Sequence, residues 1–164
     1  MPKGPAARIL DKVIHPLPGM LFVGPGSMNV IIGKKPAWRG IPAAAAAAMQ
    51  AARAAADIAV TAAETATKAA APTPGGPAAL AAEMLVKTTA AAAFSSACAA
   101  FAGMSDIHTC LTPVPPHGAG VVIDGSQTVL INMMPACRLG DTVLEILGPP
   151  NKIIMGEFTV IIGP

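Results

Sequence analysis

The residue types best suited to chemistry in this chain are three histidines and one cysteine. His15, His108 and His117 each lie in a short turn-like stretch, and Cys110 follows His108 by two residues and precedes His117 by seven. Three imidazoles and one thiolate form a tetrahedral donor set that suits Zn²⁺. Four protein ligands leave no open coordination position. We therefore expect such a site to be structural, with its binding energy contributing to folding.

A second group of residues recurs along the chain at fixed spacing. The motif Pro-Ala-x-Arg occurs three times, at residues 5–8, 36–39 and 135–138. The arginine of the first copy is followed three residues later by Asp11, and that of the third copy by Asp141. In the middle copy an insertion follows, and the displaced partner is predicted to be Asp106. We interpret each Arg/Asp pair as a repeated structural link; the alternative is a solvated charge pair contributing under ~1 kcal/mol.

The repeat relates the candidate ligands to one another. His15 lies four residues after Asp11, and Cys110 lies four residues after Asp106. Repeat symmetry would bring these equivalent positions towards one axis. The third equivalent is Glu145, four residues after Asp141. Glu145 is therefore a weaker candidate ligand. If the chain were instead a zinc hydrolase, Glu145 would be the candidate general base. A fourth protein ligand at Cys110 argues against that reading, and we expect no enzymatic activity.

The elements that must position these residues are short strands. Gly-Ser-x-x-Val-hydrophobic segments or variants of them occupy residues 26–33, 125–132 and 156–163. A Pro-Ala-x-Arg motif follows the first two segments, whereas the motif missing after the third stands near the other end of the chain, at 5–8. An internal repeat of this kind is a stronger indication of the fold than local secondary-structure patterns. We interpret the pattern as a closed ring of three units that is opened within one of them.

An alanine-rich insertion separates the two repeat-bearing parts. Residues 43–71 and 78–102 read as two helices, and the Pro/Gly-rich segment 72–77 must break them. The sequence thus predicts an αα-hairpin over 43–103, with Arg53/Asp57 and Glu64/Lys68 spaced to pair within one helix. The uncharged stretch 88–104 is about the length of a short membrane span, but it is rich in Ala, Ser and Thr. We favour a hairpin packed in water or against a partner.

Composition limits the remaining function classes. The chain has 164 residues, 12% charged residues and a net charge of +2, which does not favour nucleic-acid binding. Three cysteines without a secretory leader indicate reduced thiols or a metal ligand rather than a disulfide framework. Cys98 reads as a small buried hydrophobe, and Cys137 fills the third place of a Pro-Ala-x-Arg motif. We expect synthesis in the cytoplasm without a cleavable signal peptide.

Over residues 1–42 and 104–164 the chain resembles the PAAR-repeat family, the tip proteins of type VI secretion and other contractile injection systems. The resemblance is carried by the three Pro-Ala-x-Arg motifs, the Asp-Ile-His-Thr-Cys box at 106–110, the Pro-His-Gly element at 116–118 and the Gly-Ser-x-x-Val strands. It implies a mainly β fold, a small pseudo-threefold cone or β-prism of short hairpins. The αα-hairpin over 43–103 is inserted in that cone and lies outside the family pattern.

The resemblance also implies a function. The wide base of the cone would cap a trimeric valine-glycine-repeat (VgrG) spike, and the tip would touch a target membrane only transiently while the machine delivers it out of the cell or into a target cell. A structural zinc would be held by His15, His108, Cys110 and His117. His15 is followed by Pro-Leu-Pro-Gly instead of the common Gly-Gly, so its loop departs from the family pattern. As an alternative, residues 43–103 would bind an effector or chaperone, making the chain chiefly an adaptor.

Overall fold

The computed structural model describes residues 3–14, 19–22, 24–101, 104–109 and 118–164. Two helices, α1 (Ala43–Ala70) and α2 (Gly76–Ala99), contain 28 and 24 residues, and the strands are short and antiparallel, so the chain as a whole is mixed α and β. The strands are β1 (Gly4–Ala6), β2 (Lys12–Val13), β3 (Gly19–Met20), β4 (Ile31–Ile32), β5 (Lys35–Pro36), β6 (Ile107–Thr109), β7 (Ala119–Val122), β8 (Leu130–Ile131), β9 (Met134–Pro135), β10 (Thr142–Glu145), β11 (Asn151–Lys152) and β12 (Glu157–Ile162).

Three of the strand pairs are equivalent, and we call them the repeat hairpins. They are β4–β5, β8–β9 and β12–β1, and in each the sixth residue of the repeated segment faces the proline of a Pro-Ala-x-Arg motif. In the third pair Ile161 faces Pro5, so strands from opposite ends of the sequence complete one hairpin. This is the ring opened within one unit that the repeat predicted.

The Pro-Ala-x-Arg motifs close the ring through backbone hydrogen bonds. The third residue of each motif is Ala7, Trp38 or Cys137. The amide of Ala7 donates to the carbonyl of Cys137 at 2.9 Å, that of Trp38 donates to Ala7 at 2.9 Å, and that of Cys137 donates to Trp38 at 3.1 Å. The three bonds form a closed circuit, so each motif is bonded to both of the others. We refer to the three linked units, without the helices, as the ring.

Two layers of small and branched side chains fill the ring. The first layer combines the second residue of each motif with the buried isoleucine of each repeat hairpin: Ala6, Ala37, Ala136, Ile32, Ile131 and Ile162. The second layer contains the third motif residues together with residues of the strands that follow: Ala7, Trp38, Cys137, Val13, Leu21, Val122, Val143 and Ile153. Because the motif residues are consecutive, the second layer follows directly on the first.

A buried Arg/Asp pair links each motif to the chain that follows it. In every pair the same carboxylate also accepts the backbone amide of its arginine, at 2.7 to 2.9 Å. The Nη2–Oδ1 distances are 3.1 Å for Arg8 and Asp11, 2.8 Å for Arg39 and Asp106, and 3.1 Å for Arg138 and Asp141. All six side chains are buried, so the alternative of solvated pairs is wrong. Asp106 is the partner predicted across the insertion.

A second set of hairpins follows the three aspartates. These are β2–β3, β6–β7 and β10–β11, and the last two join in one sheet with the order β11-β10-β7-β6. Val13 of β2 bridges to Ile153, just after β11. Gly24, which follows β3, donates its amide to the carbonyl of Ile107 in β6 at 3.1 Å, so β2 and the segment after β3 contact opposite edges of that sheet. Alternation of side chains along the strands places Val122 and Val143 on its inner face, in the second layer.

The helices pack on the outer face of the same sheet. Val121 and Leu144, which alternate with the inner valines, form a core cluster with Met49 of α1 and with Phe94 and Cys98 of α2. The buried residues of α1 are confined to its first three turns and those of α2 to its last two. The rest of the hairpin therefore lies beyond the region that is buried against the ring.

Contacts within the helical hairpin differ in part from those expected. Arg53 pairs with Asp57 at 3.4 Å as predicted, whereas Glu64 contacts Lys87 of the opposite helix at 2.8 Å. α2 begins two residues earlier than predicted because Pro77 falls in its first turn, where proline removes no intrahelical hydrogen bond. Within the described ranges, neither helix has the length and hydropathy needed to cross a membrane.

Candidate metal centre

The structure describes one of the four predicted zinc ligands. His108 lies in the middle of β6, whereas His15, Cys110 and His117 lie outside the described residues. Within the described ranges, no group of three or more His, Cys, Asp and Glu side chains is close enough to hold a metal ion. The geometry of the site is therefore built on His108 and its surroundings.

The side chain of His108 lies against a buried carboxylate. Its Nε2 atom is 3.1 Å from Oε1 of Glu145, and the two side chains are 2% and 0% exposed. The second oxygen of Glu145 accepts a hydrogen bond from Nδ2 of Asn151 at 2.9 Å. Glu145, which the repeat indicated as the third equivalent of His15 and Cys110, is thus the acidic residue in contact with the one described candidate ligand.

Strand register brings the imidazole and the carboxylate together. Gly120 of β7 pairs with His108 on one side and with Glu145 of β10 on the other. The absence of a side chain at Gly120 is required, because a Cβ atom there would lie 2.8 Å from Cγ of Glu145. Glycine in the middle strand therefore leaves the space through which the two flanking side chains meet.

The pair lies inside the ring and beyond its second layer. Glu145 follows Val143 by two residues and Gly120 precedes Val122 by two, so both lie on the inner face of the sheet. Two residues of extended strand advance the chain by ~7 Å. His108 and Glu145 therefore form the next row of side chains past the apolar layers. Polar groups replace valine, alanine and isoleucine at this point.

Part of this site could be found in the sequence and part could not. His108 was found from the His-x-Cys spacing, and Glu145 from its place four residues after Asp141. Gly120 and Asn151 were missed. Their roles depend on which residues face each other across β6, β7, β10 and β11, and a short strand with one glycine carries no signal of its register.

The other two cysteines lie in apolar surroundings. Burial raises the pKa of Cys98 to about 12. Burial, with a smaller effect from the neighbouring Asp141, raises the pKa of Cys137 well above its usual range. Both are therefore protonated thiols at neutral pH and poor metal ligands, in line with the sequence interpretation of both as packing residues.

A buried imidazole beside a carboxylate is chemically compatible with Zn²⁺, which takes histidine nitrogen and carboxylate oxygen as ligands, so the described residues fit the predicted metal. That fit concerns His108, Glu145 and Asn151 alone. Comparison with protein-family models, curated proteins and solved structures found no match to this chain, so its function is inferred from its own contacts.

Proposed function

We propose that this chain is a zinc-stabilised, membrane-piercing tip that caps a trimeric VgrG-type spike of a contractile secretion or injection system. Its ring would be a small pseudo-threefold cone. The observation that carries this proposal is a set of three exposed apolar residues at equivalent places in the repeat hairpins. Ile31, Leu130 and Ile161 are 58%, 52% and 57% exposed, and the residue after each of them is buried in the first layer.

Equal exposure at three equivalent positions favours a threefold partner. A trimer presents the same surface three times about its axis, so one kind of contact can be made by each repeat hairpin. Exposed apolar side chains grouped in this way are typical of docking sites. Met28, Met133 and Phe158 of the same hairpins or of their turns are also exposed and enlarge the apolar surface.

The other end of the ring would be the piercing end. Among the residues that the structure describes, the ring has no third apolar layer past the second. Very small folds of this kind are commonly stabilised by a metal. We propose that His15, His108, Cys110 and His117 hold Zn²⁺ there. When bound, the metal would supply a structural link between loops and no reaction, and in this proposal the chain carries no catalytic residue.

Binding to the spike is the test of the docking proposal. The full chain would be mixed with a purified trimeric VgrG-type spike from the same organism, and the mass of the complex measured by light scattering after gel filtration. We expect one chain per trimer. Combined substitution of Ile31→Ser, Leu130→Ser and Ile161→Ser should abolish the complex. A matched triple variant on the helices, Ile58→Ser, Met84→Ser and Leu85→Ser, should keep it; the reverse result would contradict the proposal.

Metal analysis is the test of the zinc proposal. Elemental analysis and X-ray absorption of the purified protein should give one zinc per chain with three nitrogens and one sulfur. His108→Ala and Cys110→Ala should each remove the metal, and the control Cys98→Ala should retain it. Absence of tightly bound metal, or a site with an exchangeable water, would overturn a structural zinc.

The helical hairpin supports a second candidate function, that of an adaptor for an effector or chaperone. Ile58 of α1 and Leu80, Met84 and Leu85 of α2 are exposed on the part of the hairpin beyond the ring. A shallow, mostly apolar groove also runs along α1 from Asp57 to Ala69. If this surface carries cargo, the helix variant described above should lose a co-purifying effector while still binding the spike. Loss of neither would remove the adaptor function.

The two candidate functions predict the same cellular route. In both, the chain would be made in the cytoplasm, join the injection machine there, and reach the outside or a target cell only when the machine fires. They differ in which surface is essential. The repeat hairpins are essential to a tip, and the exposed half of the helical hairpin is essential to an adaptor.

A further inference from the structure

We propose that the cleft between α1 and strands β10 and β11 binds an extended peptide segment of a partner through one carboxylate, which Arg53 recognises. The cleft has a volume of about 610 Å³ and lies at the junction of the helical hairpin and the ring. Mostly apolar clefts of this size with a few polar groups are the usual form of ligand sites. Its polar groups come from both walls: Gln50, Arg53 and Asp57 of α1, and Asp124, Thr142 and Lys152 of the ring. The proposal depends neither on zinc nor on the spike.

Arg53 is the only buried charged residue of the helical hairpin, with 9% of its surface exposed. Its Nη2 donates to the carbonyl of Gly148, in the turn between β10 and β11. Nε lies 3.4 Å from Oδ2 of Asp57 without forming a hydrogen bond, and Nη1 has no hydrogen-bond partner among the residues that the structure describes. A guanidinium carries five N–H donors, and a buried donor without a partner costs free energy. A further acceptor beside Arg53 would therefore be bound favourably.

The charged groups on the opposite wall already have partners. Asp124 accepts hydrogen bonds from the backbone amide and the hydroxyl of Thr142, at 2.5 and 2.6 Å. Lys152 donates to the same hydroxyl at 2.6 Å and lies 3.7 Å from Asp124. Because the side chain of Lys152 is 50% exposed, water can bind its remaining donors, whereas those of Arg53 are shielded. The donors that need an acceptor from a ligand are therefore those of Arg53.

A carboxylate is the acceptor that best suits this guanidinium. The two planar groups form a pair of parallel hydrogen bonds, and charge-assisted bonds of this kind are roughly twice as strong as bonds between neutral groups. The present acceptor, the Gly148 carbonyl, is neutral and engages one nitrogen. Because surrounding atoms cover Nε and Nη1, a ligand reaches them when the Arg53 side chain turns from Gly148 towards the cleft. Binding thus replaces a neutral acceptor with a charged one.

The dimensions and charges of the cleft favour a short stretch of peptide. From Gln50 to Asp57 its α1 wall is ~10 Å long at 1.5 Å per residue, which matches about three residues of extended chain. Leu144 contributes to its apolar surface and would contact an apolar side chain of the ligand. Asp57 and Asp124 would repel a second negative charge. The ligand should therefore carry one carboxylate, with apolar or basic residues beside it.

Titration of the ¹⁵N-labelled full chain with blocked tripeptides, followed by NMR, tests the proposal. The probe contains leucine, glutamate and lysine, and its matched control has glutamine in place of glutamate. The glutamate peptide should bind at least ~10-fold more tightly, because hydrogen bonds to a charged group are the stronger ones. Sodium acetate, a carboxylate without a peptide, should bind more weakly than the glutamate peptide. Equal affinity of the two peptides, equal affinity of acetate, or no binding of the glutamate peptide would each overturn the proposal.

Variants of Arg53 separate recognition from a purely structural contact. Arg53→Met should bind both peptides equally weakly, whereas Arg53→Lys, which keeps the charge without the planar fork, should retain part of the preference for glutamate. Because Arg53 leaves buried donors unpaired, Arg53→Met should keep or raise the melting temperature. The control Lys87→Met removes a cation outside the cleft and should bind the peptides like the native chain. Unchanged discrimination in Arg53→Met, or a fall of its melting temperature by more than ~4 °C, would show that Arg53 is an anchor of α1 and no ligand-binding residue.

Discussion

The ring and the half of the helical hairpin beyond it hold their charged residues in opposite ways. In the ring, each of the three arginines is buried and bonded to an aspartate that also accepts its backbone amide. In the hairpin, Lys87 joins Glu64 and Glu83 at a partly exposed surface. The ring is specified by buried contacts between distant segments, whereas the hairpin depends on the helix propensity of alanine and on one docked end. Stability should therefore be concentrated in the ring.

Breaking one buried pair gives the largest expected effect. Arg39→Ala leaves Asp106 buried without its cation, and loss of one partner of such a pair costs about 3–5 kcal/mol. Lys87→Ala on the hairpin removes two partly exposed ion pairs and should cost under ~1 kcal/mol. Denaturant unfolding followed by circular dichroism measures both variants. Similar losses for the two would contradict the contrast between the regions.

The same contrast should exist within the helical hairpin. Met49→Ala creates a cavity where α1 is docked on the ring, and substitutions of this type cost about 2–5 kcal/mol. Ile58→Ala lies on the same helix in the exposed half and should change the free energy of unfolding by less than ~0.5 kcal/mol. Thermal unfolding of both variants tests this. A large loss in Ile58→Ala would mean that the exposed half is also packed.

Thiol reactivity should distinguish Cys98 of α2 and Cys137 of the ring from Cys110, the proposed zinc ligand. Because burial raises the pKa of Cys98 to about 12 and that of Cys137 well above its usual range, neither should be alkylated in the native protein at pH 8. Cys110, if it binds zinc, should react only after metal removal. Mass spectrometry of iodoacetamide-treated protein gives the labelled sites, with the denatured chain as control. Rapid labelling of Cys98 would show that the docked helix end opens.

The smallest expected effect concerns the one acidic member of the repeated segments. Hydrogen bonds from Thr159, and the nearby Arg8 guanidinium, lower the pKa of Glu157 below its ordinary value of 4.5. Its stabilising contribution is therefore complete above pH 4.5 and is lost as the pH falls through the lowered pKa. Glu157→Ser, which restores the residue of the other two copies, should lose less stability than the native protein between pH 4.5 and pH 3. Parallel acid-unfolding curves would contradict this.

The sequence predicted the linked repeats of the ring, whereas it did not predict which residues surround His108. Ile31, Leu130 and Ile161 occupy equivalent positions, as the repeat in the sequence indicates. The same repeat predicted Asp106 as the partner of Arg39 across a long insertion. The start of α2 differs by two residues from the prediction because Pro77 is tolerated in a first turn. The contact between His108 and Glu145 depends on the strand register about Gly120. The register of such short strands depends on packing against both faces of the sheet and cannot be predicted from the residues of one strand.

The pairing of β1 with β12 has a consequence for how the protein folds. Residues 4–6 are synthesised long before their partner strand, which is complete only when residue 162 has been added. Contacts of such long sequence separation close slowly, because the entropy of a large loop must be lost before they form. The two helices, in contrast, are local in sequence and can form during synthesis. Folding should therefore begin in the helical hairpin and end with the pairing of β1 and β12.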